Sequence, residues 1–232
     1  MSPLSLRRQG ARSPKGDLSF FWARLVKTNV YVDGFNLYYG CIKGTPYRWL
    51  DLAKLCALLL PTHDINRIRY FTALLDARPD DPRQPQRQQI YLRALETIPN
   101  LSIHYGHFLS NVIRMPLAHP IPNGPRTVQV VKTEEKGSDV NLATYLLVDA
   151  FKKDYEMAVV ISNDSDLKTP VEFVRGQLGL PVGILNPHKN RSRALSDVTD
   201  FYKPIRKGPL GASQFTPTLK DAHGIITKPP GW

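Results

Sequence analysis

The chain has 232 residues, 42% of them hydrophobic, which suits one α/β domain with a buried core and argues against a disordered polypeptide. Its formal charge is +11, with the excess at the ends: +5 over residues 1–28 and +4 over 203–232, leaving +2 for the middle. No apolar run approaches the roughly 20 residues of a membrane span, and two cysteines, Cys41 and Cys56, are too few for a zinc cage and read as free thiols of a reducing, cytoplasmic compartment.

Residues 1–26 are basic, carry Pro, Ser and Gly, and show no sustained period. They are expected to form an unstructured leader outside the domain, since the apolar stretch 18–23 is shorter than a signal-peptide core. From there strand and helix patterns alternate. TNVYVD (28–33) reads as a short buried strand, 47–60 as a Leu-rich helix stopped by Pro61, and 65–75 as a β-rich run. Residues 80–98 read as a helix that turns amphipathic after Pro85, and 101–109 as another strand. Four prolines and an Asn-Gly pair make 110–125 a loop or irregular hairpin. Strand 127–132, an apolar helix over 138–153, a central strand 156–162 (EMAVVIS), a helix over 167–178 and a short strand 181–185 complete the pattern. Residues 203–232, rich in Pro and Gly, are expected to wrap the domain as a tail.

Strands separated by helices imply βαβ units, hence an α/β fold with a mostly parallel sheet. In such folds ligands bind beyond the carboxyl ends of the strands, and three acidic clusters fall there. Asp33 ends the first strand, before Gly-Phe-Asn. Asp164 and Asp166 follow EMAVVIS in Asn-Asp-Ser-Asp. Asp139 opens the apolar helix after Lys-Gly-Ser. Each has an ordinary structural reading, as a turn residue or a helix N-cap. Together, four converging carboxylates would repel one another and require a counter-charge. Hard oxygen donors select Mg2+ or Mn2+, a combination suited to phosphodiester hydrolysis.

The runs VYVDGFNLYYG, KTEEKGSDVNLATYLLVDA and AVVISNDSDLKTPVEFV, in that order, resemble the NYN family of PIN-like nucleases, and within it the bacterial LabA-like branch. The resemblance spans about residues 27–232, with the domain proper over 27–202. It implies a PIN-like three-layer α/β/α fold and Mg2+- or Mn2+-dependent cleavage of RNA. The family's acidic positions fall on Asp33, Asp139, Asp164 and Asp166, its motif asparagine on Asn36, and residues near the phosphate on Lys136 and Ser162. The chemistry of these residues agrees. Asp33 and Asp164 suit the principal ligands, Asp139 completes the metal site, and Asp166 holds a water or a second ion. Asn36, both donor and acceptor, can orient a carboxylate or a phosphate. Lys136 offers a point charge.

Other features carry less. His104 and His107 lie three apart on a strand, on opposite faces, and read as packing residues. Arg78, Arg83 and Arg87 could line a groove for a phosphate backbone or form a solvated helix face. Tyr38 and Tyr39 could stack on a base or pack in the core. The leading expectation is a metal-dependent endoribonuclease with RNA as partner and no membrane. Two alternatives stand beside it: an RNA- or nucleotide-binding regulator with little turnover, and a phosphoryl-transfer enzyme acting on a small molecule. The oligomeric state is left open, a homodimer included.

Overall fold

The computed structural model describes residues 24–232. Most of the expected leader lies outside the described residues. Strand β1, Val26–Asp33, begins two residues earlier than expected, and Arg24 ion-pairs with Glu156.

Six parallel strands form the central sheet. They are β1, β2 (His63–Thr72), β3 (Leu101–Tyr105), β6 (Met157–Ile161), β7 (Val182–Asn186) and β8 (Phe201–Pro204), in the order β3-β2-β1-β6-β7-β8. The order reverses between β1 and β6, so the crevice at their carboxyl ends is the topological switch point. Strand alternation splits the core in two. Val30 and Val32 of β1 face one layer, with helices α2 (Leu52–Leu59) and α3 (Gln84–Leu95). Tyr31 faces the other, with α4 (Ser138–Phe151) and α5 (Lys168–Gly176). This is the expected α/β/α sandwich. Among the described residues, no helix is long and apolar enough to cross a membrane.

Three expectations are corrected. The run 101–109 is two strands, because the chain turns at Gly106, where an added Cβ would lie 2.2 Å from Glu135 Oε1. Residues 107–136, read as a strand end, a loop and a short strand, instead form an antiparallel arm of β4 (His107–Pro116) and β5 (Thr127–Lys136), with ten paired positions. Much of this arm is exposed, Val112 and Val131 among the most exposed apolar side chains, so it shows no one-sided apolar pattern. The segment after Tyr202 does more than wrap: β8 closes one sheet edge. Helix α6 (Arg193–Ser196) precedes it. Helix α7 (Lys207–Ala212) and a hairpin of β9 (Thr218–Asp221) and β10 (Gly224–Thr227) follow, and part of that tail packs into the first core layer through Leu210, Phe215 and Ile226.

Helix α2 starts later than expected. Leu50 bridges to Gln214, and Asp51 caps the helix by accepting from Lys54 N at 3.1 Å. The two cysteines are free, Cys56 buried and Cys41 half-buried. His104 packs on Phe71 as expected, whereas His107, at the foot of the arm, is exposed.

Candidate active site at the sheet switch point

The first strand delivers Asp33 to the switch point, and a short helix α1 (Gly34–Leu37) turns away at once. The turn needs glycine. A Cβ on Gly34 would lie 2.7 Å from the Phe71 carbonyl and the Tyr70 ring, so no larger residue fits between the end of β1 and the end of β2. Asp33 is 5% exposed. One carboxylate oxygen accepts from Asn36 N at 2.9 Å, which caps α1; the other accepts from the Ser162 hydroxyl at 3.0 Å.

Ser162 follows β6 and is fully buried. Its hydroxyl also accepts from Asp164 N at 3.1 Å, so it spans the two strand ends. Asn36 makes a second span: its side-chain carbonyl accepts from Asn163 N at 2.9 Å. Asp164 caps the 3-10 turn Ser165–Leu167 by accepting from Asp166 N at 3.0 Å, while Asp166 is exposed. Asp139 enters from the first turn of α4, behind Gly137, whose φ of +98° only glycine adopts freely. Gly137, rather than Ser138 or Asp139, caps that helix, with no side-chain hydrogen bond.

The electrostatics follow from this packing. Burial pushes the Asp33 carboxyl up to about 7; Asp139 and Asp164 reinforce the rise, against the hydrogen bonds from Asn36 and Ser162. Asp139 is also raised, first by burial and then by Asp164, Glu135 and Asp166. The acids therefore feel one another, yet no Lys or Arg among the described residues forms an ion pair with any of the four. An all-oxygen, uncompensated set fits a hard divalent cation. It is not a closed cage: among the described residues no group of three or more His, Cys, Asp or Glu side chains is drawn together tightly enough to hold an ion.

Lys136, at the end of β5, is half exposed and pairs with Glu134 at 3.3 Å. Arg87 is ion-paired with Asp81. Two residues that sequence reasoning passed over matter here. Glu135 accepts from Ser138 N at 3.1 Å and from the Ser138 hydroxyl at 2.7 Å, fixing the start of α4. Asn163 accepts from Ser192 N at 2.9 Å and from the Tyr202 hydroxyl, tying the acidic turn to the loop after β7. Both sit inside the quoted motifs beside the more conspicuous aspartates.

The chain matches the family model described as NYN domain over residues 27–205. It is 30% identical over 239 residues to 6-hydroxy-3-succinoylpyridine 3-monooxygenase HspA of Pseudomonas putida (strain DSM 28022 / S16), covering 89% of this chain and 75% of that protein. Among solved structures it is similar to a protein of unknown function from Vibrio parahaemolyticus RIMD 2210633. The TM-score is 0.50 at 18% identity, over 79% of this chain and 95% of that one, a likeness of fold alone.

Proposed function

The chain belongs to the NYN domain family, and from that membership and its acidic crevice we propose that it is a metal-dependent endoribonuclease. The carrying observation is the buried Asp33 at the switch point, within electrostatic reach of Asp139 and Asp164, with no cationic side chain among the described residues paired to them. Asp33, Asp139, Asp164 and Asp166 would hold Mg2+ or Mn2+. The ion, when bound, supplies charge neutralisation at the phosphate and acidifies a water.

The chain's own residues set the stage for that chemistry. Asn36 N and Ser162 Oγ hold the two oxygens of Asp33 in one orientation. Ser162 and Asn36 act as positioning residues, since both bind the acidic turn after β6 and the Ser162 hydroxyl is closed off from solvent. Lys136, on the exposed end of β5, would offer its charge to a non-bridging phosphate oxygen by exchanging Glu134 for substrate.

The relative's name supports a second reading, oxygenation of a hydroxylated pyridine, favoured by an aromatic cavity beside the Asp33 turn. Two incubations separate the readings. The first exposes a labelled mixed-sequence RNA pool to the protein with Mg2+, Mn2+ or a chelator. The second supplies 6-hydroxy-3-succinoylpyridine, O2 and a two-electron reductant. Cleavage that needs the metal supports the nuclease. Intact RNA together with consumption of the pyridine and O2 replaces it with the oxygenase.

A further inference from the structure

A cavity of about 330 Å³ opens beside the Gly34–Phe35 turn, between α1, the end of β2 and helix α3, with none of the four acids in its wall. Its volume falls in the ordinary range for small-molecule sites. Tyr38, Tyr39, Tyr70, Tyr91 and Trp232 contribute aromatic rings to its wall. Rings from separate elements around an open space favour a flat guest, which can stack on one and meet the edges of others.

The polar side of the wall is uneven. Arg87 is satisfied by Asp81. The Gln88 amide donates to Ala73 O at 2.9 Å and accepts from Leu75 N at 2.9 Å, and the Tyr91 hydroxyl donates to Leu50 O at 2.9 Å. Arg48 differs. It lines the cavity, is only half-buried, and has no ion pair among the described residues. A guanidinium with an uncompensated charge at a cavity wall fits a planar or tetrahedral anion.

We propose that this cavity is a binding site for a planar heteroaromatic ring carrying an anionic group, the ring held among the tyrosines and Trp232 and the anion on Arg48. A nucleotide has this chemistry, with its base as the ring and its phosphate as the anion. So does a free heteroaromatic carboxylate. None of the four acids lines the cavity, so the proposal stands whether or not that crevice cuts RNA.

The test is calorimetric titration of the full chain in chelator, where the acidic crevice, lacking metal, repels anions. One arm uses adenosine and uridine 5′-monophosphate, the other pyridine-3-carboxylate. Saturable binding is expected in at least one arm, weakened at least about tenfold by Arg48→Ala, as loss of a charge-assisted hydrogen bond implies. Tyr39→Ala should weaken it severalfold. Tyr39 is 52% exposed, so this variant carries the test if Arg48→Ala fails to fold. Binding confined to the nucleotides assigns the cavity to an RNA unit or a free nucleotide; binding confined to the carboxylate assigns it to a small acid. No saturable binding at millimolar probe, or binding that neither variant changes, overturns the proposal. RNA cleavage without probe binding refutes the cavity alone, and binding without cleavage refutes the nuclease alone.

Discussion

Replacing Asp33 by Asn should stabilise the metal-free protein, and by an amount that grows with pH. The native carboxyl keeps its proton to about pH 7, whereas the ordinary value is 3.8. Below 3.8 both folded and unfolded chains carry the proton and the group makes no difference. Between the two values the folded state binds more protons, so stability falls as pH rises, and above about 7 the loss is complete. At 1.36 kcal/mol per pH unit the gap corresponds to about 4 kcal/mol at most, and relaxation of the crevice around the charge reduces this to ~2 kcal/mol. The amide is nearly isosteric. Its oxygen still accepts from Asn36 N, and its NH2 can donate to Ser162 Oγ, with the hydroxyl changing from donor to acceptor. In a chain of this size each kcal/mol moves Tm by about 2–4 °C, so Asp33→Asn should melt roughly 4–8 °C above wild type at pH 8 in chelator, the difference shrinking toward pH 4. Saturating Mn2+ should reverse the order, because ion binding to the native wild-type site adds stability that the variant loses. Thermal melts from pH 4 to 8.5, with chelator and with Mn2+, read this directly. A variant less stable than wild type at pH 8 in chelator, or a difference independent of pH, refutes the claim that a buried, uncompensated charge sits at this position.

Three other sites give expectations that distinguish positioning, packing and surface charge. Asn36→Ala removes the 2.9 Å span to Asn163 N between the two strand-end turns; it should cost about 1 kcal/mol in denaturant titration while lowering kcat more than KM, and an unchanged kcat would show that the span does not organise the acids. Asp149 receives Arg69 through two bonds of 2.7 and 2.9 Å and the Tyr31 hydroxyl at 2.8 Å, nearly all out of water. Asp149→Ala strands the guanidinium and should cost about 3–5 kcal/mol. Glu156→Gln, at the exposed pair with Arg24, should leave the melting temperature nearly unchanged, since solvent screens such a pair.

The sequence disclosed most where one physical signal dominated. The wholly buried strands β6 and β7 appear as short continuous apolar runs, and α4 as an apolar helix, because burial on both sides of the sheet leaves no polar positions to confuse the period. The acidic residues were legible for the same reason: Asp33 follows directly on such a run, and Asp164 lies three residues beyond another. Where signals compete, local pattern misleads. The arm β4–β5 carries prolines at its tip and is exposed on both faces, so it offers neither turn-free length nor alternation. Strand β8 spans four residues and ends in Pro204, tolerable at an edge that donates no further ladder bond. The spans made by Ser162, Asn36 and Asn163 depend on side chains meeting across β1 and β6, 127 and 129 residues apart. Local pattern holds no information on such pairings. The cavity around Arg48 is likewise assembled from α1, β2, α3 and the last residue of the chain, and was visible beforehand only as two tyrosines after DGFN.

The proposed cleavage of RNA by these acids with a bound divalent ion is best read by single-turnover cleavage of one labelled RNA at saturating Mn2+. Wild type should be compared with Asp33→Asn, both shown to be folded at the assay temperature. A loss of at least about 100-fold in the variant, with no product from either protein in chelator, is the result expected when a carboxylate in the reacting centre is removed. Equal rates for the two proteins, or wild-type cleavage that persists in chelator, would contradict it.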